Sequence, residues 1–100
     1  MKFMLNFTYP AGHFLTVVKT WGAMTPQERA SAGEGVKKLG HWHDVVGRAG
    51  VVIVEANDLA AVARWAGGWN AASVDFVITP VLDDEEAGAV ARQIAGDHNA

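Results

Sequence analysis

The spacing of apolar residues in this chain switches between period two and period 3.6, and the order of the switches leaves few folds open. Residues 2–9 (KFMLNFTY) put Phe3, Leu5, Phe7 and Tyr9 on one face and Met4, Asn6 and Thr8 on the other. Alternation with aromatic enrichment is a strand, and Pro10 and Gly12 end it. Phe14, Val17, Val18 and Trp21 then stand at i, i+3, i+4 and i+7, one helical stripe that Gly22 stops or bends. Thr25-Pro26-Gln27-Glu28 has the form of a capping box with Pro26 where no N–H is needed, and it opens a short helix to about Ala32. Gly33 and Gly35 release the chain. Residues 36–44 (VKKLGHWHD) alternate again, and residues 51–56 (VVIVEA) are too β-branched and too short for a helix. The glycine-bearing turn between them makes the two a hairpin. Asn57 or Asp58 caps the next helix, in which Leu59, Val62, Ala66 and Trp69 share a face with Trp65 at its margin. Residues 74–82 (VDFVITPVL) form a fourth strand; Pro80 lacks an N–H, which places this strand at an edge or ends it there. Asp83-Asp84-Glu85-Glu86 brings acids to the positive end of a last helix, whose apolar face is Ala87, Val90, Ala91 and Ile94.

Strand, helix, strand, strand, helix, strand, helix is the order of two interleaved split βαβ units. The class is α+β: a ferredoxin-like βαββαβ with a C-terminal helix, an antiparallel sheet in the order 4-1-3-2 and helices on one side. One hundred residues make one domain, here 1–96, with a tail at 97–100 expected to fray. The far side of that sheet keeps Met4, one valine set of the third strand and Val77 or its neighbours. An apolar sheet back must pack on something, and a second copy placed back to back satisfies it. The expected partner is therefore the chain itself, as a homodimer. With 50% hydrophobic and 19% charged residues, the composition leans the same way.

The formal net charge is −3 and no basic cluster exceeds Lys37-Lys38, which argues against a nucleic-acid partner. No cysteine is present, so there is no disulfide framework and no thiolate chemistry, a composition that fits a reducing cytoplasm. The start meets Asn6 too soon for a signal-peptide core, and no apolar run approaches the roughly 20 residues of a membrane helix.

His41 and His43 are two apart on a strand and so share a face, as an acid and a base near neutral pH or as two polar residues on an edge strand. No third ligand follows at a recognisable spacing, so no metal is expected. Glu55 ends an apolar strand; buried it is a base, and otherwise it is a strand-end carboxylate in water or paired with Arg48 or Arg64. Asn6 and Thr8 lie on the bare face of the first strand, to hydrogen-bond across a dimer or to a ligand. Of the four tryptophans, Trp21 belongs to the core by its helical stripe. Trp69, beside Gly67-Gly68 and Asn70, is the better wall for an aromatic ligand. No serine carries a nucleophile signature and no glycine loop matches a phosphate cradle, so no cofactor is expected.

The segments Gly40-His41-Trp42-His43-Asp44, Val54-Glu55-Ala56-Asn57-Asp58, Trp65 through Trp69, and Thr79-Pro80-Val81-Leu82-Asp83-Asp84-Glu85-Glu86 resemble domain-of-unknown-function family 3303. The opening Met1-Lys2-Phe3-Met4 and the corner Pro10-Ala11-Gly12-His13 do too, so the resemblance covers nearly the whole chain. It implies a dimeric α/β barrel, in which two ferredoxin-like sheets close around each other. Relatives in that superfamily include cofactor-free monooxygenases, polyketide cyclases, muconolactone isomerases, haem-degrading enzymes and dechlorinases. Their substrates lie between sheet and helices, which implies Tyr9, Trp42 and Trp69 as walls and His13 at the entrance of the first helix. The resemblance favours His43, which its Trp-His-Asp motif contains. The expected function is binding of a small cyclic or aromatic metabolite, with isomerase, cyclase or monooxygenase chemistry that uses His43 or His41 as acid or base and Glu55 as partner. The alternative is a non-catalytic dimeric binding or accessory protein.

Overall fold

In the computed structural model, which describes residues 1–99, β1 (Lys2–Thr8) leads through a 3-10 turn at Ala11–His13 into α1 (Phe14–Ala23). There follow α2 (Pro26–Ala30), β2 (Val36–Asp44), β3 (Ala49–Ala56), α3 (Leu59–Asn70), β4 (Asp75–Val81) and α4 (Asp84–Asn99). The four strands form one sheet in the order β2-β3-β1-β4, antiparallel throughout, which is the expected ferredoxin-like order. Pro80 does lie on an edge strand, opposite Phe3.

Local chemistry accounts for the element ends. Thr25 and Glu28 form the capping box in both directions, the Glu28 N–H donating to Thr25 Oγ1 at 3.2 Å and the Thr25 N–H to Glu28 Oε1 at 2.8 Å. That short helix stops at Ala30 rather than Ala32. Asp58, not Asn57, caps α3 by accepting from the Ala61 N–H at 2.8 Å. A second reciprocal cap, unforeseen in the sequence, starts α4: the Asp83 N–H donates to Glu86 Oε1 at 3.0 Å and the Glu86 N–H to Asp83 Oδ1 at 2.8 Å. The frayed tail expected at 97–100 is helical as far as Asn99, and Ala100 lies outside the described residues.

One face of the sheet carries the core. Phe3 and Leu5 of β1 with Val52, Val54 and Ala56 of β3 pack under Val62 and Ala66 of α3. Ala61 and Ala66, both buried and small, let α3 lie close to the strands. Leu59, expected on that face, is exposed instead. A second cluster at the other end joins Phe7, Tyr9 and Val74, with Phe14, Val17 and Trp69 against it. None of the residues of α1 is buried, although its stripe is the expected one. The helix stands off the sheet, and the space beneath it is the cavity described below. Trp21, expected in the core, is therefore a half-buried wall.

The register of β2 departs from simple alternation. Lys38 lies opposite Val54 but Gly40 lies opposite Ile53, so Leu39 is an extra residue in a β-bulge. A one-residue slip exchanges the faces of everything beyond it. Val36 and Lys38 before the bulge, and His41 and His43 after it, all share the helix-covered face with Val52, Val54 and Ala56. Trp42 is turned to the opposite face, where its ring folds over Gly40 so closely that a Cβ there would overlap it. Gly40 is thus a close-approach glycine.

The far face of the sheet is apolar and open, with Trp42 60% and Val77 66% exposed. The helix α4 is open as well. Val90 and Ile94 on its apolar side are 40% and 54% exposed, and the molecule extends 57 Å along its long axis. Its radius of gyration of 16.5 Å exceeds the roughly 13 Å of a compact chain this long. What ties the start of α4 to the sheet is Lys2, whose Nζ lies 3.1 Å from Asp83 and 3.6 Å from both Glu86 and Glu55. The hydrogen bond to Asp83 raises the Lys2 pKa. Asp83 itself is held low, first by the Glu86 N–H and then by Lys2. Among the described residues, no helix is long and apolar enough to cross a membrane.

Candidate functional site

A cavity of about 240 Å³ lies between the sheet and the helices α1 and α3. Its floor is Phe7, Tyr9, Val52 and Phe76 from the three strands β1, β3 and β4 and their flanks, with His41 and His43 from β2. Its roof is Val17, Val18 and Trp21 from α1 and Trp65 and Trp69 from α3, and Val45 and Val74 close its sides. Trp21 and Trp69 meet edge to face at 5.7 Å, as the indole quadrupoles favour.

The two histidines are the polar centre of this space. Their rings stack at 4.1 Å with 28° between planes. Phe7 presents an edge to each at 5.6 Å, and Trp21 lies 5.1 Å from each. Lys38, on the same side of β2, completes the row: its Nζ donates to Arg29 O at 2.6 Å and lies 3.2 Å from His41 Nδ1. An ammonium has only donors, so Nδ1 is the acceptor and the neutral ring carries its proton on Nε2. The same Nζ is 5.3 Å from the ring centroids of both Trp21 and Trp65, a cation between two indoles.

These surroundings keep both imidazoles neutral at pH 7. Burial pushes His41 down to about 4, assisted by the Lys38 charge and then by His43. Burial also lowers His43, again with Lys38 assisting, and burial lowers Lys38. Among the described residues no carboxylate opposes this. The Asp44 carboxylate accepts from the Gly47 N–H in the β2–β3 turn at 2.9 Å. The neutral His43 imidazole can accept a proton from an acidic C–H or O–H, and the Lys38 ammonium and the His41 Nε2–H can stabilise the anion left behind.

Of the residues picked from the sequence, the cavity gathers Tyr9, Trp69, His41 and His43. It does not gather the others. Trp42 is on the opposite face because of the bulge. Asn6, opposite Val51 and Val77, is exposed on that same far face. Glu55 shares this face at the far end of the strand, paired with Lys2 rather than with Arg48 or Arg64, and cannot serve His43. His13 is exposed in the 3-10 turn and is not a cavity wall. Sequence reasoning missed Lys38 and Trp65, and assigned Trp21 to the core. The available signal was Lys38 two residues after the inward-facing Val36, a charged residue at an inward strand position. Among the described residues, no three His, Cys, Asp or Glu side chains are close enough together to hold a metal ion.

No curated protein and no solved structure matches the chain. A family model does, over residues 1–95, and its description is a domain of unknown function. With nearly its whole length inside that match and its strands, helices and sheet order as the resemblance implied, the chain belongs to the DUF3303 family.

Proposed function

We propose that this protein binds a small cyclic or aromatic metabolite in the cavity between sheet and helices, with His43 and His41 as proton carriers for isomerase- or cyclase-type chemistry. The observation that carries the reading is the cavity itself: a space of about 240 Å³ with three tryptophans and two phenylalanines around a stacked pair of neutral imidazoles. An apolar cavity of about 150 Å³ accommodates benzene, so this one suits a substituted ring or two fused rings. A proton-transfer site needs a base that is free at neutral pH, and the lowered pKa of His43 supplies one, while His41, its Nδ1 taken by Lys38, is left to donate through Nε2. The absence of a carboxylate beside them among the described residues supports the second reading, a binding or accessory protein without catalysis.

The reading includes a homodimer in the form of an α/β barrel. Two apolar surfaces of one chain lack partners: the sheet back with Trp42 and Val77, and the side of α4 with Val90 and Ile94. A second copy supplies a cover for both, on the scale of roughly 1,600 Å² in total for a standard interface. A cytoplasmic setting suits a chain with no cysteine.

The test uses 2-tetralone, a fused-ring ketone with acidic C–H bonds. It is expected to quench the fluorescence of the cavity tryptophans and, in heavy water, to exchange its C1 hydrogens faster with protein than without. His43→Gln is expected to abolish the acceleration while keeping the quenching. Quenching without acceleration favours the binding protein over the enzyme. The absence of quenching by 2-tetralone, 1-naphthol and 1-naphthoate alike refutes the cavity as a ligand site.

A further inference from the structure

Lys38 restricts the character of the ligand this cavity can take. This ammonium is half-buried, and the only ion pairs among the described residues are those of Lys2. Two of its three N–H groups are committed, to Arg29 O at 2.6 Å and to His41 Nδ1 at 3.2 Å; the third has no acceptor among the described residues. Lys38 is not itself a wall of the cavity, but three of the groups beside it are: the His41 ring and the indoles of Trp21 and Trp65, whose centroids each lie 5.3 Å from its Nζ. A cation partly withdrawn from water is stabilised by an anion beside it. The neighbouring His41 adds a second donor, because its Nδ1 is taken by Lys38 and its proton must sit on Nε2. Two donors, one of them charged, with no carboxylate beside them among the described residues, make a receptor for negative oxygen.

We infer that the ligand of this cavity is an aromatic or fused-ring acid whose anionic oxygen is held by the Lys38 ammonium and the His41 Nε2–H. The inference rests on the cavity being a ligand site. It adds the charge of the ligand and names Lys38 as the residue that selects it. Oxygen anions of two kinds meet the requirement, a carboxylate and an ionised phenol or enol.

Matched pairs separate these cases in the unaltered protein. Dissociation constants from tryptophan quenching at pH 8.5 are compared for 1-naphthoate against 1-naphthamide, and for 4-nitrophenolate against 4-nitroanisole. The anion is expected to bind about tenfold or more tightly than its neutral partner in at least one pair, on the scale of a charge-assisted hydrogen bond. The pair that discriminates identifies the group. Lys38→Met is expected to erase the preference and Lys38→Arg to keep most of it, with near-ultraviolet circular dichroism reporting that each variant is folded. Should Lys38→Met not fold, the comparison in the unaltered protein still decides. Equal binding within both pairs overturns the inference while the cavity stands as a ligand site. No binding by any of the four overturns both.

Discussion

Lowering the pH from 7 to 4 charges His41 in the unfolded chain before it charges it in the folded one. The unfolded imidazole titrates near 6.5, and the buried one is held down to about 4. Between those values the unfolded state binds a proton that the native state does not, so native stability falls as pH falls through that window. The contribution is fully present above about 6.5, and the loss is complete below about 4. For a fully enclosed group the difference is worth about 3.4 kcal/mol, at 1.36 kcal/mol per tenfold change in proton affinity. His41 keeps part of its ring toward water, and screening there reduces the figure to roughly 1.5 kcal/mol. Asp83 and Glu28, whose carboxyls are held low by hydrogen bonds in the native state, also lose stability on acidification, and so does His43. A His41→Phe variant isolates the contribution of this imidazole: urea unfolding at pH 7 and pH 4.5, at one fixed protein concentration, gives the acid loss for each protein. The unaltered protein is expected to lose about 1 kcal/mol more than the variant, most of the full effect, because pH 4.5 lies just above the folded value. Equal losses, or an NMR titration placing His41 near 6.5, refute the account of a neutral buried imidazole beside Lys38.

Trp69→Ala is expected to destabilise the fold by about 1–2 kcal/mol in denaturant, less than the roughly 3–5 of a sealed-core tryptophan, because the ring borders the cavity. It is also expected to weaken 1-naphthoate binding, and a collapse in stability with unchanged binding counts against its place in a ligand wall. Gly50→Ala is expected to cost about 2–3 kcal/mol of unfolding free energy, since a Cβ there overlaps Phe7 Cζ and crowds the Trp42 carbonyl. A loss below about 0.5 kcal/mol shows that Phe7 swings aside freely. Sedimentation at micromolar concentration is expected to give a dimer, and a chain ending at Leu82, which lacks α4, is expected to shift toward monomer. A folded monomer of the full chain removes the dimer from the proposal.

Local pattern carries this chain a long way. Alternation in residues 2–9 assigned Phe3, Leu5, Phe7 and Tyr9 to the core face, and all four are buried there. The β-branched run before Glu55, the capping box at Thr25 and the missing N–H of Pro80 each act through neighbours in sequence, so each was legible without the fold. Element order then left the ferredoxin-like sheet as the consistent arrangement. The site was only partly legible. His41 and His43 share a face in any strand, but which face depends on Leu39 being squeezed out of the ladder against β3. That is decided by hydrogen-bond pairing with residues up to twenty positions away, and it turned Trp42 outward and brought the histidines into line with Lys38. Glu55 met Lys2 because β1 and β3 are neighbours in that register. The gap under α1 arises where the helix meets the strands, at a distance set by the bulky Trp21, Trp65 and Trp69. Periodicity describes which side a residue takes relative to its own element; only the packing of elements on one another determines what that side faces.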